Sequence, residues 1–308
     1  MAIKSKKIVI VGSSNTDLVV QVDHFPQPGE TIIGHDFMTA QGGKGANQAV
    51  AVARLGGEAV FVCRLGRDSF GESTLRLLEK EGLDTRHVKL TDGAASGVAL
   101  IPVDSKGENT IIVASGANAL LSAEDIREAA EDIKEAGILL MQLETPVPTL
   151  VEAAKLAHSH GVKVILNPAP FPKEPLPMEL LENVDLIIPN ETEAAYMAGQ
   201  QVVDDASALA VIRKIQGLGV QNVIITVGKK GAYTLDEQGE LVLVPAFVVK
   251  AVDTTAAGDT FCGALCVALA KGMSMAESLR MANKAASISV TRMGAQPSVP
   301  TEKEVFGE

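Results

Sequence analysis

Positive charge is scarce in this chain: 27 lysines and arginines stand against 38 aspartates and glutamates, a formal net charge of −11. A surface of that sign repels phosphate backbones and anionic bilayers, so nucleic acid and membranes are poor partners. Small molecules fit better, with room for a local basic pocket around a phosphorylated ligand. Cysteine is scarce too. Cys63, Cys262 and Cys266 are odd in number and form no Cys-x-x-Cys pair, so they read as reduced core residues rather than as disulfides or zinc ligands. The five histidines suggest no metal site, since His158 and His160 lie two apart on a helix and face different directions. No apolar run is long enough to span a bilayer, and the basic start at Lys4 to Lys7 leads into an apolar run too short for a secretory signal, so a cytoplasmic location is expected. Repeats, low-complexity segments and linkers are also missing. So are two nucleotide signatures: Lys44 is followed by Gly45, not by the Ser or Thr of a P-loop, and no Gly-x-Gly-x-x-Gly fingerprint is formed.

What remains is the composition of an ordinary folded protein, 46% hydrophobic and 21% charged. Length alone allows two average domains or one large α/β unit. After a buried strand at 7–11, apolar strands at 60–64, 138–143, 162–166, 185–188 and 222–227 alternate with helices at 70–81, 147–158, 191–198 and 206–216; an apolar helical run at 262–270 and a helix at 275–293 follow. This order predicts a largely parallel sheet covered by helices on both faces, with ligands gathering at the carboxyl ends of the strands. The residues just past those ends are Asn15 and Asp17 in a polar turn, Glu144, Asn167, Asn190, and Thr226 with Gly228. Two β-rich insertions interrupt the pattern. Short strands at 18–22, 31–34 and 36–40 are broken by Pro26, Pro28 and Gly29, and a pair at 97–103 and 110–114 is joined by Asp104-Ser105-Lys106-Gly107; together they can form one small sheet.

Four stretches carry candidate chemistry. From Val252 to Phe261 a turn becomes a helix, where Ala256, Ala257 and Gly258 let a group approach the backbone and the unpaired N–H groups suit a phosphate. Asp259 beside them is either a cap for the first turn or the base that takes a proton from an attacking hydroxyl. Gly42 to Gln48 leads into an Ala/Val-rich helix, with Lys44 and Asn47 as a charge and an amide beside glycines; the plainer reading is a helix cap and a solvated lysine. Asn190 and Glu193 have the spacing of a capping box, and a carboxylate there can equally hold a hydrated magnesium ion. Thr226 to Gly231 is either a hairpin turn or a glycine-bearing loop around nucleotide phosphates.

Taken in chain order, Asn15-Thr16-Asp17, Gly42-Gly43-Lys44-Gly45-Ala46-Asn47-Gln48, Met141-Gln142-Leu143-Glu144, Asn190-Glu191-Thr192-Glu193, Asp253-Thr254-Thr255-Ala256-Ala257-Gly258-Asp259-Thr260 and Thr291-Arg292-Met293-Gly294-Ala295-Gln296-Pro297-Ser298 resemble the ribokinase family of sugar kinases. The resemblance covers almost the whole chain. It implies a single ribokinase-like α/β domain over 1–308: a mostly parallel central sheet with helices on both faces, and a small β-sheet lid from insertions at about 14–41 and 95–115. It implies ATP-dependent phosphorylation of D-ribose at O5, giving D-ribose 5-phosphate, with Asp259 as catalytic base. Ala256, Ala257 and Gly258 match the anion hole, although the wider family more often has glycine where Ala256 stands. Asn15, Asp17, Gly43, Lys44, Asn47, Glu144 and Asp259 match sugar-binding positions. Asn190, Thr226, Gly228, Gly231 and Asn283, with Ala257 and Gly258, match nucleotide-binding positions. Glu193 matches a Mg2+-associated acid, and Asp253, Thr255, Ser289, Arg292, Gly294 and Ser298 match a K+ site, several of them through main-chain carbonyls. ATP, Mg2+ and K+ are the implied cofactors, and the lid the implied homodimer contact. Two competing readings stay in play: a kinase of the same fold for 2-deoxyribose, fructose, a phosphorylated sugar or a nucleoside, and a non-catalytic sugar or nucleotide sensor. An intact Asp259 and Gly258 argue against the second.

Overall fold

Strand side chains alternate between two cores. Val9, Val11, Leu139, Met141, Val164 and Leu166 enter one, while Ile8, Ile10, Ile138, Leu140 and Ile165 enter the other, the two-residue period of extended chain in a sheet buried on both faces. A computed structural model describes residues 3, 5–171 and 174–307; Lys4 of the basic start lies outside them. The sheet has seven strands in the order Asn222–Val223, Leu186–Ile187, Lys163–Leu166, Ile138–Met141, Lys7–Val11, Glu58–Gly66 and Asp84–Thr91. Every neighbouring pair is parallel. Helices Val147–Ser159 and Asp205–Gln216 cover the first core, and Lys44–Arg54, Ser69–Lys80, Ala257–Ala270 and Met275–Ser289 cover the second.

One packing detail sets the site. Helix Ala257–Ala270 is buried along most of its length because it is apolar on every side, and it lies against Lys44–Arg54. A β-carbon on Gly263 would sit 2.6 Å from that of Ala51, so the two helices meet at backbone distance. Their amino-terminal ends therefore open side by side.

A second sheet has the order Phe37–Gly42, Asn15–Gln21, Gly97–Val103 and Ile112–Ala114. Its central pair is parallel and joins the two insertions, with Asn15 opposite Gly97 and Gln21 opposite Val103. Asn15 and Asp17 are therefore strand residues rather than members of a polar turn, because ladders form on both sides of them. Residues 31–34 form no strand. Their β-branched pattern finds no neighbour, Ile33 is 85% exposed, and pairing with Gln21 starts only at His35 and Asp36. The apolar run 222–227 is split: Asn222–Val223 ends the main sheet, and Ile225–Thr226 joins an antiparallel sheet with Gly231–Leu235 and Leu241–Pro245. The helix expected to reach 293 stops at Ser289, where the N–H groups of Val252 and Asp253 take the carbonyl of Val290. The apolar run 262–270 belongs to a helix that already starts at Ala257. Among the described residues no helix is long and apolar enough to cross a membrane, and all three cysteines are buried and free.

Candidate active site

Asp259 lies in the first turn of Ala257–Ala270 and is 7% exposed. Its two oxygens are held from the neighbouring helix: Asn47 Nδ2 donates to Oδ2 at 2.9 Å and Gln48 Nε2 to Oδ1 at 3.0 Å. Gln48 is itself fixed. The same Nε2 donates to Asn167 Oδ1 at 3.0 Å, Gln142 Nε2 donates to Gln48 Oε1 at 2.7 Å, and Asn167 Nδ2 donates to the Ile188 carbonyl at 2.8 Å. Burial pushes the Asp259 carboxyl above its ordinary range, against Lys44 and the two amides, which favour the anion.

Asp259 does not cap its helix. Ala256 takes the cap position at φ 57°, the one non-glycine residue with positive φ among the described residues, at a cost of roughly 1 kcal/mol. That twist turns the first N–H groups outward. Ala257 N–H reaches the Thr254 carbonyl and Thr260 N–H the Ala256 carbonyl, but those of Gly258 and Asp259 have no acceptor among the described residues. Nothing lies within 4 Å of where a β-carbon on Gly258 would be. An open, positively polarised cradle beside a buried carboxylate is what a transferring phosphoryl group requires.

Lys44 opens its own helix. Its N–H donates to Glu144 Oε2 at 2.9 Å, and Ser13 Oγ donates to the same oxygen at 2.5 Å. Burial lowers the Lys44 pKa, but Asp259, Glu144 and Glu193 outweigh it and hold the ammonium charged. Gly43 before it has φ 85° and ψ 128°, and a β-carbon there would lie 2.7 Å from the backbone of Ser14 and Asn15. Asn15 and Glu144 line an open cavity of about 380 Å³ with Asn118, Ser115, Thr145 and Val113.

Asp17 stands opposite Ala40 and Ala99, and a β-carbon on Gly42 would lie 2.3 Å from its Oδ2. Desolvation, and then Glu144, pushes its carboxyl up to about 6. The folded state thus holds a proton that the unfolded chain releases near the ordinary value of 3.8. Its contribution to stability is full below that value and is lost as pH rises to about 6. Asp17→Asn is therefore expected to raise stability at pH 7.5 by on the order of 1–2 kcal/mol, a gain that shrinks as pH falls below 6. Urea unfolding at pH 7.5 and pH 4 checks this.

On the other side, Asn190 and Glu193 form a reciprocal capping box, each backbone N–H donating to the other's side chain at 2.9 Å. This uses Glu193 Oε2, and desolvation raises the carboxyl pKa. Asn190 bridges to Thr226, and Gly228–Lys230 is the turn between Ile225–Thr226 and Gly231–Leu235, so the hairpin reading of that loop holds. Gly231, at φ 117°, passes 2.0 Å from the Val244 carbonyl measured from an added β-carbon. Asn283 Nδ2 donates to the carbonyls of Val244 and Pro245, tying its helix to the same hairpin.

The segments 253–256 and 290–298 are bound to each other. Asp253 Oδ1 accepts from the N–H and hydroxyl of Thr255, and Oδ2 accepts from Gly294 N–H at 2.8 Å. Ser289 and Ser298 donate to the carbonyls of Ala286 and Ala295, which leaves their oxygens as acceptors. Arg292 pairs through its guanidinium with Glu304. Arg54, at the far end of the Lys44 helix, donates to the Gln296 carbonyl at 2.6 Å. Among the described residues no group of three or more His, Cys, Asp and Glu side chains is placed to hold a metal.

Three participants escaped the sequence. Gln48 and Gln142 lay inside quoted motifs without a role; a glutamine in an Ala/Val helix and another ending an apolar strand were the available signals. Asn118 follows no strand of the main sheet and carried no signal.

Fold and site together define a class: α/β enzymes that pass a phosphoryl group to a hydroxyl at the start of a helix, at the carboxyl ends of a parallel sheet. A model of the pfkB family carbohydrate kinases matches residues 5–302. A ribokinase of Haemophilus influenzae is 44% identical over 301 residues, 98% of this chain and 97% of its own. A deoxyribokinase of Salmonella typhi is 38% identical over 294 residues, 96% and 95%. The structure of Arabidopsis thaliana ribokinase complexed with ribose and ATP has a TM-score of 0.91 to this one at 35% identity, covering 100% of this chain and 98% of that one. This chain belongs to the pfkB family of carbohydrate kinases.

Proposed function

We propose that this chain transfers the γ-phosphoryl group of ATP to O5 of D-ribose, with Asp259 as the base. The observation that carries the reading is Asp259 itself: a buried carboxylate oriented by two amides beside two free N–H groups at a helix start. The sugar takes the cavity lined by Asn15 and Glu144 and reaches Asp17, Gly43, Lys44 and Asn47, so that carboxylates accept hydroxyl protons and amide and ammonium groups donate. Asn47 Oδ1 is buried without a partner, as an acceptor awaiting a hydroxyl would be. Asp259 takes the proton of the 5-hydroxyl as its oxygen attacks phosphorus in line, and the free N–H groups of Gly258 and Asp259 meet the charge on the transferring group. Thr226, Gly228, Gly231, Asn190 and Asn283 shape the nucleotide side.

Mg2+ supplies charge neutralisation on the phosphates when bound. One oxygen of Glu193 remains for its hydration shell, since the capping bond uses only Oε2. The hard oxygens of Asp253, Thr255, Ser289, Gly294 and Ser298, with the Arg292 carbonyl, suit K+, which would fix the loop that leads into the helix start. The whole chain forms one unit in which residues 14–41 and 95–115 are a lid that closes over the sugar and excludes water. The small sheet leaves Phe37, Met38, Ile111 and Ile112 exposed, apolar surface that suits pairing with a second copy. With buried free cysteines, the cytoplasm suits the chain.

The likeness to a deoxyribokinase favours one second reading, 2-deoxyribose as the preferred acceptor. Coupled ADP release with ribose, 2-deoxyribose, fructose and adenosine, with and without K+, decides. Ribose is expected to give the highest kcat/KM, with ATP turnover well above the sugar-free rate. Preference for another acceptor overturns the substrate, and equal turnover without sugar overturns the lid.

A further inference from the structure

We infer that Asn118 sets the hydrogen-bonding sense of Asn15 and so determines which hydroxyl of the acceptor this pocket demands. Asn118 is 1% exposed and lies in the turn Gly116–Leu120, where the second insertion returns to the main body. Its Oδ1 accepts the N–H of Ser14 at 2.9 Å, and its Nδ2 donates to the Ser14 carbonyl at 3.0 Å and to Asn15 Oδ1 at 2.8 Å.

This arrangement has a fixed polarity. An amide side chain can be turned over, but a main-chain N–H can only donate and a main-chain carbonyl can only accept. The two backbone groups of Ser14 therefore force Asn118 to present its oxygen to one and its nitrogen to the other. Both hydrogens of Nδ2 are then used, on Ser14 and on Asn15. Asn118 lines the cavity but has no donor left for a ligand, which makes it a positioning residue.

The polarity passes to Asn15. Its Oδ1 is occupied by Asn118, so its Nδ2 is the group turned to the cavity, and that nitrogen has no acceptor among the described residues. Of the other polar side chains lining the cavity, Glu144 is a carboxylate that accepts, and the hydroxyls of Ser115 and Thr145 can accept or donate. A hydroxyl that accepts from Asn15 and donates to a carboxylate is matched twice, and an acceptor lacking it leaves a nearly buried donor unpaired. Gly97 makes the junction possible, since a β-carbon there would lie 2.2 Å from both Asn118 Nδ2 and Asn15 Oδ1.

The inference rests on ribose occupying this cavity, and its test separates the two. kcat and KM are measured with ribose and its 1-, 2- and 3-deoxy analogues for the wild type, Asn118→Ala and Asn118→Asp. The aspartate variant keeps the acceptor for Ser14 N–H but cannot donate to Asn15, so it reverses the polarity with little change in packing, and a thermal melt confirms that it is folded. In the wild type, one analogue is expected to lose at least tenfold in kcat/KM relative to ribose. In both variants that discrimination should fall at least fivefold through a higher KM for ribose, while kcat stays within about threefold and KM for ATP is unchanged. A uniform slowing of all four acceptors, or unchanged discrimination in the folded aspartate variant, overturns the role of Asn118 alone. A wild type inactive on ribose and all three analogues overturns both this role and the ribose reading.

Discussion

Asp259→Asn is expected to lower turnover by on the order of 10² or more, with ribose binding retained and the melting temperature no lower than that of the wild type. The substitution is nearly isosteric but places an NH2 where Asp259 now accepts from Asn47 and Gln48. Two facing donors would repel, yet Asn47 Oδ1 is buried without a partner, so turning over the Asn47 amide offers an acceptor to the new donor, and its Nδ2 then meets the sugar hydroxyl, which can accept as well as donate. The charge removed is one that burial already disfavours, which spares the folded state a desolvation cost. Lost activity would therefore come from the missing base and not from a damaged fold. The pH profile adds a separate reading. Burial raises the Asp259 pKa, so in the wild type kcat/KM should fall as pH drops through a value above the ordinary carboxylate range. Lys44 opposes this rise and Glu144 adds to it, and Glu193 is a further carboxylate coupled to Asp259. Steady-state kinetics and calorimetric ribose titration of the variant decide; turnover within a few-fold of wild type removes Asp259 from the role of base.

Gly43→Ala is expected to raise the sugar KM at least tenfold and to destabilise the protein by at least ~3 kcal/mol. At φ 85° and ψ 128° an L-residue is strained, and the new methyl would lie 2.7 Å from the backbone of Ser14 and Asn15. Relief requires the start of Lys44–Arg54 to move outward, which breaks the bond from Lys44 N–H to Glu144 and shifts Asn47 away from Asp259. Gly258→Ala is the matched comparison. Gly258 is helical, with open space where the methyl would go, so stability should hold or rise slightly while the cradle for the transferring group is obstructed. Thermal melts with sugar and ATP kinetics on both variants test the contrast. Equal stability of the two would contradict the tight approach at Gly43.

Features that depend on neighbouring residues were legible in the sequence. The capping box of Asn190 and Glu193, the helix start at Asp259 and the cluster of Lys44 with Asn47 each lie within one turn of chain, where spacing and residue type carry the geometry. The alternation of apolar strands and helices gave the doubly covered parallel sheet for the same reason. Features that depend on a partner elsewhere were not. Residues 31–34 have strand propensity but no adjacent strand, while Asp84–Thr91 is polar on its wet face and pairs because Glu58–Gly66 lies beside it. Ile225–Thr226 is as apolar as Asn222–Val223, and only the return of Gly231–Leu235 assigns it to another sheet. Asn118 acts on Asn15 across the base of the small sheet, a contact that no local pattern encodes.

The parallel pairing of Asn15–Gln21 with Gly97–Val103 also bears on the order in which the chain assembles. Each insertion can make a local antiparallel contact by itself, but the central ladder joins segments that lie on either side of Lys44–Arg54, Glu58–Gly66 and Asp84–Thr91. Contacts between remote segments form late, because the closure entropy of the intervening chain must be met first. The larger sheet meets it by setting its strands side by side, and only then do the two insertions emerge next to each other. Asn15, Asp17 and the Asn118 junction, the groups proposed to position the acceptor, are therefore expected to come together late. On that order, the proposed acceptor pocket would be completed only after the main sheet has formed.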